Sequence, residues 1–231
     1  AALEARPVTI NCSDKMATRP MNELFDSLRE LGVEIESHND KLPAVIKGPV
    51  KTNICHLDAS RSSQYLSALL IIAPLLTNGL TIHLKGKQVS NAYVDMTINL
   101  MEKMGVKVKR APETIIVDAG QSYKGIKYCV PCDPVSSSYF MGLAAITGRK
   151  IKIEAFDHHS LQGESKFYQV LEKMGVIIEK DENSLTAYSK GTLNGVEVDM
   201  GEMPDAVQTL AVVASHAKGK TLIKNIAHLA Y

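Results

Sequence analysis

Three turns in this chain carry hydroxyl or carboxyl side chains where an alternating run gives way to a helical one. They are Asp58-Ala59-Ser60-Arg61-Ser62-Ser63-Gln64, Asp133-Pro134-Val135-Ser136-Ser137-Ser138 and Glu202-Met203-Pro204-Asp205. Serine and aspartate at such a point are preferred helix N-caps. The same side chains, added to the free backbone N–H groups of a helix start, also make a seat for an anion such as phosphate. Ser62 and Ser63, flanked by Arg61 and Gln64, offer more donors than a cap requires. Asp205 follows Pro204 and precedes a mostly apolar stretch over 206–214. Its carboxylate is either a cap favoured by the helix dipole or a fixed base within reach of a substrate hydroxyl. Ser90 and Tyr93 open the second helix of the unit that contains Ser62, as capping and core-edge residues or as groups facing the same cleft. Lys15 and Arg19 precede the first helix as surface cations, and His158-His159 read as a solvated turn.

The elements that must position these residues repeat. Arg29-Glu30-Leu31-Gly32-Val33-Glu34-Ile35 returns as Glu102-Lys103-Met104-Gly105-Val106-Lys107-Val108 and as Glu172-Lys173-Met174-Gly175-Val176-Ile177-Ile178. In each, an amphipathic run ends, a glycine suited to the left-handed position follows, and a β-branched run begins. Such a recurrence marks a tandem of one unit. Periodicity in the second copy predicts a strand over 51–57, a helix over 62–76, a strand over 80–84, a helix over 93–104 and strands over 106–109 and 114–118, in the order βαβαββ. The third copy predicts the same elements over 126–130, 136–146, 150–156, 166–174, 176–179 and 185–188. A fourth copy supplies a strand over 196–200, a helix over 205–216 and a strand over 221–226. The first is represented by its back half, with a helix over 21–31 and strands near 33–35 and 44–46. The fold class is α+β, built from α/β repeats with mixed sheets and helices packed on one face. The composition break at Cys132-Asp133-Pro134 places the domain boundary between 1–131 and 132–231.

Composition narrows the functions. With 26 Lys and Arg against 25 Asp and Glu, nothing in the balance points to nucleic acid or a membrane surface, so any anion site is local. No run reaches the roughly 18 apolar residues of a membrane span. Cys129 and Cys132 form a lone C-x-x-C pair where a zinc site needs four matched ligands. The four cysteines therefore read as reduced thiols of a cytoplasmic protein.

The segment Leu57-Asp58-Ala59-Ser60-Arg61-Ser62-Ser63-Gln64-Tyr65-Leu66-Ser67-Ala68-Leu69-Leu70 resembles the serine-serine-glutamine segment of the 5-enolpyruvylshikimate-3-phosphate synthases. Four further segments are similar to that family in the same order. They are Val89-Ser90-Asn91-Ala92-Tyr93-Val94-Asp95-Met96-Thr97, the stretch 133–146 around Ser136-Ser137-Ser138-Tyr139-Phe140, Leu161-Gln162-Gly163-Glu164 with Phe167, and Met203-Pro204-Asp205-Ala206 with Thr209-Leu210-Ala211. The resemblance implies two similar domains of three βαβαββ units each, closing over a cleft. It implies that Ser62, Ser63, Ser90 and Tyr93 hold shikimate 3-phosphate, that Gln64 touches both substrates, and that Asp205 takes the proton from the 5-hydroxyl. The reaction so implied is enolpyruvyl transfer from phosphoenolpyruvate, a step of aromatic amino-acid biosynthesis, with no metal or organic cofactor.

Some positions depart from the family pattern. Lys15 stands where the resemblance puts an arginine on phosphoenolpyruvate, keeping the charge without the bidentate fork. Asn91-Ala92 replaces a common lysine-proline pair, and His228 stands where asparagine is usual near the substrate. Further family segments would precede Ala1 and follow Tyr231, so the expectation is an internal fragment, inactive alone. Two other readings use the same scaffold: an enolpyruvyl transferase acting on UDP-N-acetylglucosamine, which the Ser62-Ser63-Gln64 segment disfavours, and a non-catalytic ligand-binding module, which Lys15 motivates.

Overall fold

Each of the three repeated phrases closes a helix in the same way. The computed structural model describes residues 1–60, 62–86 and 91–230, apart from the side chains of Asn91, His228 and Ala230. The helices Asn22–Glu30, Asn91–Lys103 and Phe167–Lys173 run into Gly32, Gly105 and Gly175, with φ of +84°, +86° and +101°. The Gly32 N–H donates to the Arg29 carbonyl at 2.9 Å and the Val33 N–H reaches back to Leu28 at 3.0 Å. Gly105 and Val106 repeat this onto Glu102 and Met101, and Gly175 and Val176 onto Glu172 and Leu171. This paired closure is the Schellman motif, and its hydrophobic clasp is present in all three copies: Val33 with Leu28, Val106 with Met101 and Val176 with Leu171 are all buried. The carbonyl just before each glycine then accepts an N–H from the chain twenty residues on: Lys51 to Leu31 at 2.8 Å, Lys124 to Met104 at 2.8 Å and Asn194 to Met174 at 2.9 Å. The hairpin of each unit is thereby tied to the helix that launched it.

The chain divides into two compact units, Ala1–Lys127 and Tyr128–Tyr231. The first opens with β1 (Val8–Ile10), α1 (Asp14–Ala17), α2 (Asn22–Glu30), β2 (Glu34–Ser37) and β3 (Ala44–Lys47), whose strands form an antiparallel sheet in the order β1-β3-β2. A full copy follows as β4 (Ile54–Asp58), α3 (Ser63–Ile72), β5 (Leu80–Lys85), α4 (Asn91–Lys103), β6 (Val108–Ala111) and β7 (Thr114–Val117). Its sheet runs β4-β5-β7-β6, with β4 and β5 parallel and the other pairings antiparallel. Period-two alternation puts Cys55, Leu57, Leu80, Ile82, Ile115 and Val117 inside, in one core with Leu66, Leu69 and Leu70 of α3.

The second unit contains α5 (Pro134–Thr147), β8 (Ile151–Glu154), α6 (Phe167–Lys173), β9 (Ile177–Asp181) and β10 (Ser184–Tyr188), then β11 (Glu197–Asp199), α7 (Val207–Ala214) and β12 (Leu222–Lys224). Strands β8-β10-β9 are antiparallel, while β11 and β12 pair in parallel like β4 and β5. Helices α5 and α7 touch closely because Gly142 has no side chain: a Cβ there would lie 2.8 Å from Thr209 Cγ2. Beside it the Ser138 and Thr209 hydroxyls share a buried hydrogen bond of 3.0 Å.

Several sequence expectations are corrected. Residues 126–130 form no strand: Ile126, Tyr128 and Val130 are all exposed, Val130 at 76%, so their alternation has no covered face and no partner strand. The helix expected over 62–76 stops as α-helix at Ile72, because Pro74 has no N–H to continue the ladder, and closes with a 3₁₀ turn over Ala73–Leu75. The helix expected from Asp205 begins as a 3₁₀ turn over Pro204–Ala206. Strand β1 and helix α1 were not foreseen. Among the described residues no helix is long and apolar enough to cross a membrane.

Replacing Gly175 by alanine is expected to cost about 1 to 2 kcal/mol, the left-handed penalty alone, since its Cβ would have nothing nearer than 3.8 Å. Gly32→Ala is expected to cost more, because the same penalty is joined by a Cβ 2.9 Å from that of Lys51. Urea denaturation of the two variants beside the unsubstituted chain measures the difference.

Candidate functional site

The three polar turns that look alike in sequence have three different fates. At α5 every hydroxyl is consumed inside the protein. Asp133 caps the helix by accepting from the Val135 and Ser136 N–H groups at 3.2 and 3.0 Å and from Ser136 Oγ at 2.6 Å. The Ser136 hydroxyl is the main reason that the Asp133 carboxyl titrates below its usual range. Ser137 donates to the Asp133 carbonyl at 2.8 Å and Ser138 to the Val135 carbonyl at 2.7 Å. This turn is a cap.

At α3 the cap faces open space. Ser62 Oγ accepts the Gln64 N–H at 3.2 Å, which leaves its own O–H as a donor. Ser62 and Gln64 line a groove of about 640 Å³ with Met16, Arg19, Pro20, Met21, Leu24 and Tyr65. The groove exists because the segment around α1 is held over the start of α3, where the Tyr65 hydroxyl donates to the Pro20 carbonyl at 2.7 Å. Ser63 turns inward and is 7% exposed. Lys15 lies on α1, exposed and outside the groove lining, whereas Arg19 lines it. Arg19 is the residue that sequence reading left as an ordinary surface cation. Its signal lay in the same segment as Lys15: Arg19-Pro20 matches the end of the Arg-Met-x-x-Arg-Pro pattern to which Lys15-Met16-Ala17-Thr18-Arg19-Pro20 is similar. Tyr93 is half-buried on α4, whose Thr97 hydroxyl bonds Ser67 of α3 at 2.9 Å. Ser90 lies outside the described residues.

At α7 the acidic residue caps nothing. The 3₁₀ turn Pro204–Ala206 has Met203 at its cap position and α7 has Ala206, neither with a side-chain hydrogen bond. Asp205 is exposed, and its carboxylate makes no hydrogen bond or ion pair among the described residues. Its N–H donates to Glu164 Oε1 at 3.4 Å. Glu164 is 1% exposed, on the 3₁₀ turn Gly163–Lys166. Burial, above all, pushes its carboxyl upward, and the charges of Asp205 and Asp133 add to that. His228 falls in the turn Ala227–Ala230, with its side chain outside the described residues.

Groups that sequence reading set aside have structural roles. His158 Nε2 is placed to donate to the carbonyls of Asp181 at 2.9 Å and Ser184 at 3.2 Å, clasping a turn. All four cysteines are free, and among the described residues no three His, Cys, Asp or Glu side chains converge as a metal-binding group. A second groove, of about 330 Å³ between α5 and α7, is lined by Tyr139, Leu143, Ile146, Val212 and their neighbours and contains no charged side chain.

The family model for EPSP synthase (3-phosphoshikimate 1-carboxyvinyltransferase) matches residues 1–231. A 3-phosphoshikimate 1-carboxyvinyltransferase of Colwellia psychrerythraea is 40% identical over 217 residues, covering 92% of this chain and 51% of its own length. That of Citrobacter koseri is 37% identical over 228 residues, covering 97% and 53%. The chain thus spans about half the length of the curated relatives it matches. Among solved structures, an EPSP synthase from Acinetobacter baumannii superposes over 100% of this chain and 54% of its own, with a TM-score of 0.78 and 21% identity. The enolpyruvyl transferase NikO from Streptomyces tendae superposes over 94% and 52%, with a TM-score of 0.67 and 15% identity. These two likenesses establish the fold.

Since Ser62 is an engaged cap, Ser62→Ala is expected to destabilise the chain by about 1 kcal/mol. Ser62→Asp should restore the loss, because aspartate caps as well as serine. Chemical denaturation of the three proteins at neutral pH reads both effects.

Proposed function

We propose, because the chain belongs to the EPSP synthase family, that the protein it forms part of transfers the enolpyruvyl group of phosphoenolpyruvate to the 5-hydroxyl of shikimate 3-phosphate. In this reading Ser62, Ser63, Ser90 and Tyr93 hold shikimate 3-phosphate, Gln64 touches both substrates, Lys15 takes the place of an arginine on phosphoenolpyruvate, and His228 lies near the substrate. The start of α3 suits an anion, because helix N-termini present unpaired N–H groups and a positive dipole end. Arg19, on the same groove as Ser62 and Gln64, adds a guanidinium whose fork matches carboxylate or phosphate. Asp205 is the base. As the 5-hydroxyl adds to C2 of phosphoenolpyruvate, its proton passes to the Asp205 carboxylate while C3 gains a proton; the tetrahedral adduct then gives up a C3 proton and breaks its C2–O bond to phosphate, which restores the C2–C3 double bond as the enolpyruvyl group.

The observation that carries this reading is the unengaged carboxylate of Asp205, in a chain that the family model matches end to end. A cap would be spent on backbone N–H groups, as Asp133 is. A base must keep its lone pairs for the substrate.

Asp205→Asn in the full-length enzyme is expected to lower turnover by about 10²-fold or more, with an unchanged melting temperature because no helix loses a cap. Steady-state kinetics beside a melting curve tests this. Normal turnover with lowered stability would make Asp205 a structural residue. Ser62→Asp is expected to keep its fold yet lose affinity for shikimate 3-phosphate, since the cap survives while a negative charge meets the phosphate. Isothermal titration decides it, and affinity equal to that of the unsubstituted enzyme removes the phosphate from this helix start.

A further inference from the structure

A carboxyl group that is 1% exposed is costly to bury, and Glu164 is buried without a cationic partner among the described residues. It accepts instead two backbone N–H groups, its own and that of Asp205, 41 positions along the chain. The turn that carries Glu164 is fixed against the turn that carries Asp205 at a second point. A Cβ on Gly163 would lie 1.7 Å from the Glu202 carbonyl oxygen and 2.6 Å from its carbon, so the two backbones touch where only glycine fits. Glu202 stands just before Met203, the cap position of the Asp205 turn. One turn is therefore held at two points by the Gly163–Lys166 turn: its entry by Gly163 and its acidic residue by Glu164.

We propose that Glu164, seated by Gly163, is a positioning residue that holds the Asp205 turn so that the Asp205 carboxylate stands free of the protein. The inference rests on the reading of Asp205 as the base. The short 3₁₀ turn has no side-chain cap of its own, so without the Glu164 acceptor the Asp205 N–H would be satisfied by water and its carboxylate would be free to swing back as a cap for α7. A displacement of about 1 Å in a reacting group can cost on the order of 10²-fold in rate.

Two conservative replacements separate geometry from charge. Glu164→Gln keeps an acceptor oxygen at the same reach without ionising, whereas Glu164→Asp keeps the charge but withdraws the oxygen by one methylene. In the full-length enzyme the glutamine variant is expected to retain kcat within about threefold, and the aspartate variant to lose about tenfold or more in kcat with little change in KM for shikimate 3-phosphate. Amide hydrogen exchange at Asp205 reads the brace without reference to activity. Exchange is expected to be unchanged in Glu164→Gln and about tenfold faster in Glu164→Asp. A glutamine variant that loses kcat, or that fails to fold, overturns the proposal, as does equal Asp205 exchange in all three proteins. If the aspartate variant does not fold, the glutamine variant decides alone. An unsubstituted enzyme that forms no enolpyruvyl product, with exchange behaving as described, would overturn the functional reading and leave the brace standing.

Discussion

The left-handed glycine closing each second helix is the constraint from which the rest of the molecule follows. Gly32, Gly105 and Gly175 each reverse the chain in a conformation that costs an L-residue about 1 to 2 kcal/mol. Each is followed by a valine that folds back onto the helix just ended. The carbonyl before the glycine then receives the chain returning from the hairpin. A helix, a reversal, a hairpin and a return are thus locked by the same three hydrogen bonds and one apolar clasp in each copy. The locks at Gly32 and Gly175 set where β4 and β11 begin, and so where the turns at Ser62 and Asp205 are presented.

Those polar turns show why residue type alone does not separate a cap from a ligand site. Both uses need a short side chain with an oxygen at a helix start, because both answer the same unpaired N–H groups. At α5 a local aspartate satisfies them and the serines bond to nearby carbonyls. At α3 a serine satisfies one of them while a segment from more than forty residues earlier builds a groove wall around it. At the Asp205 turn the acceptor comes from Glu164, and the local carboxylate is released. The difference lies in which distant segment arrives, not in the turn.

The placement of Glu164 also illustrates a general cost. Burial raises the pKa of a carboxyl because the charged form loses its water, and the nearby Asp205 and Asp133 work in the same direction. Folding to this state is therefore favoured at lower pH and weakens as pH rises above the ordinary value of 4.5 for this group. A group retained against that penalty is best explained by what it holds, and beyond its own N–H it holds that of Asp205.

The repeat, the order βαβαββ of the second copy, the glycine reversals and the cap at Ser62 were legible in the sequence, because helix ends, period-two strands and caps are local effects of a few neighbouring residues. The strand expected over 126–130 was not reliable, since alternation forms a strand only where another strand is free to pair with it, and Ile126, Tyr128 and Val130 are left exposed. Nor did any local pattern distinguish Ser62 from Ser63, one lining the groove and the other turned inward. The same holds for Arg19, which lines the groove, and Lys15, which does not. Those choices, and the grip of Gly163 and Glu164 on the Asp205 turn, depend on contacts between segments about 40 or more residues apart. Only the tertiary structure decides them, because burial and hydrogen-bond supply at one turn are properties of whatever packs against it.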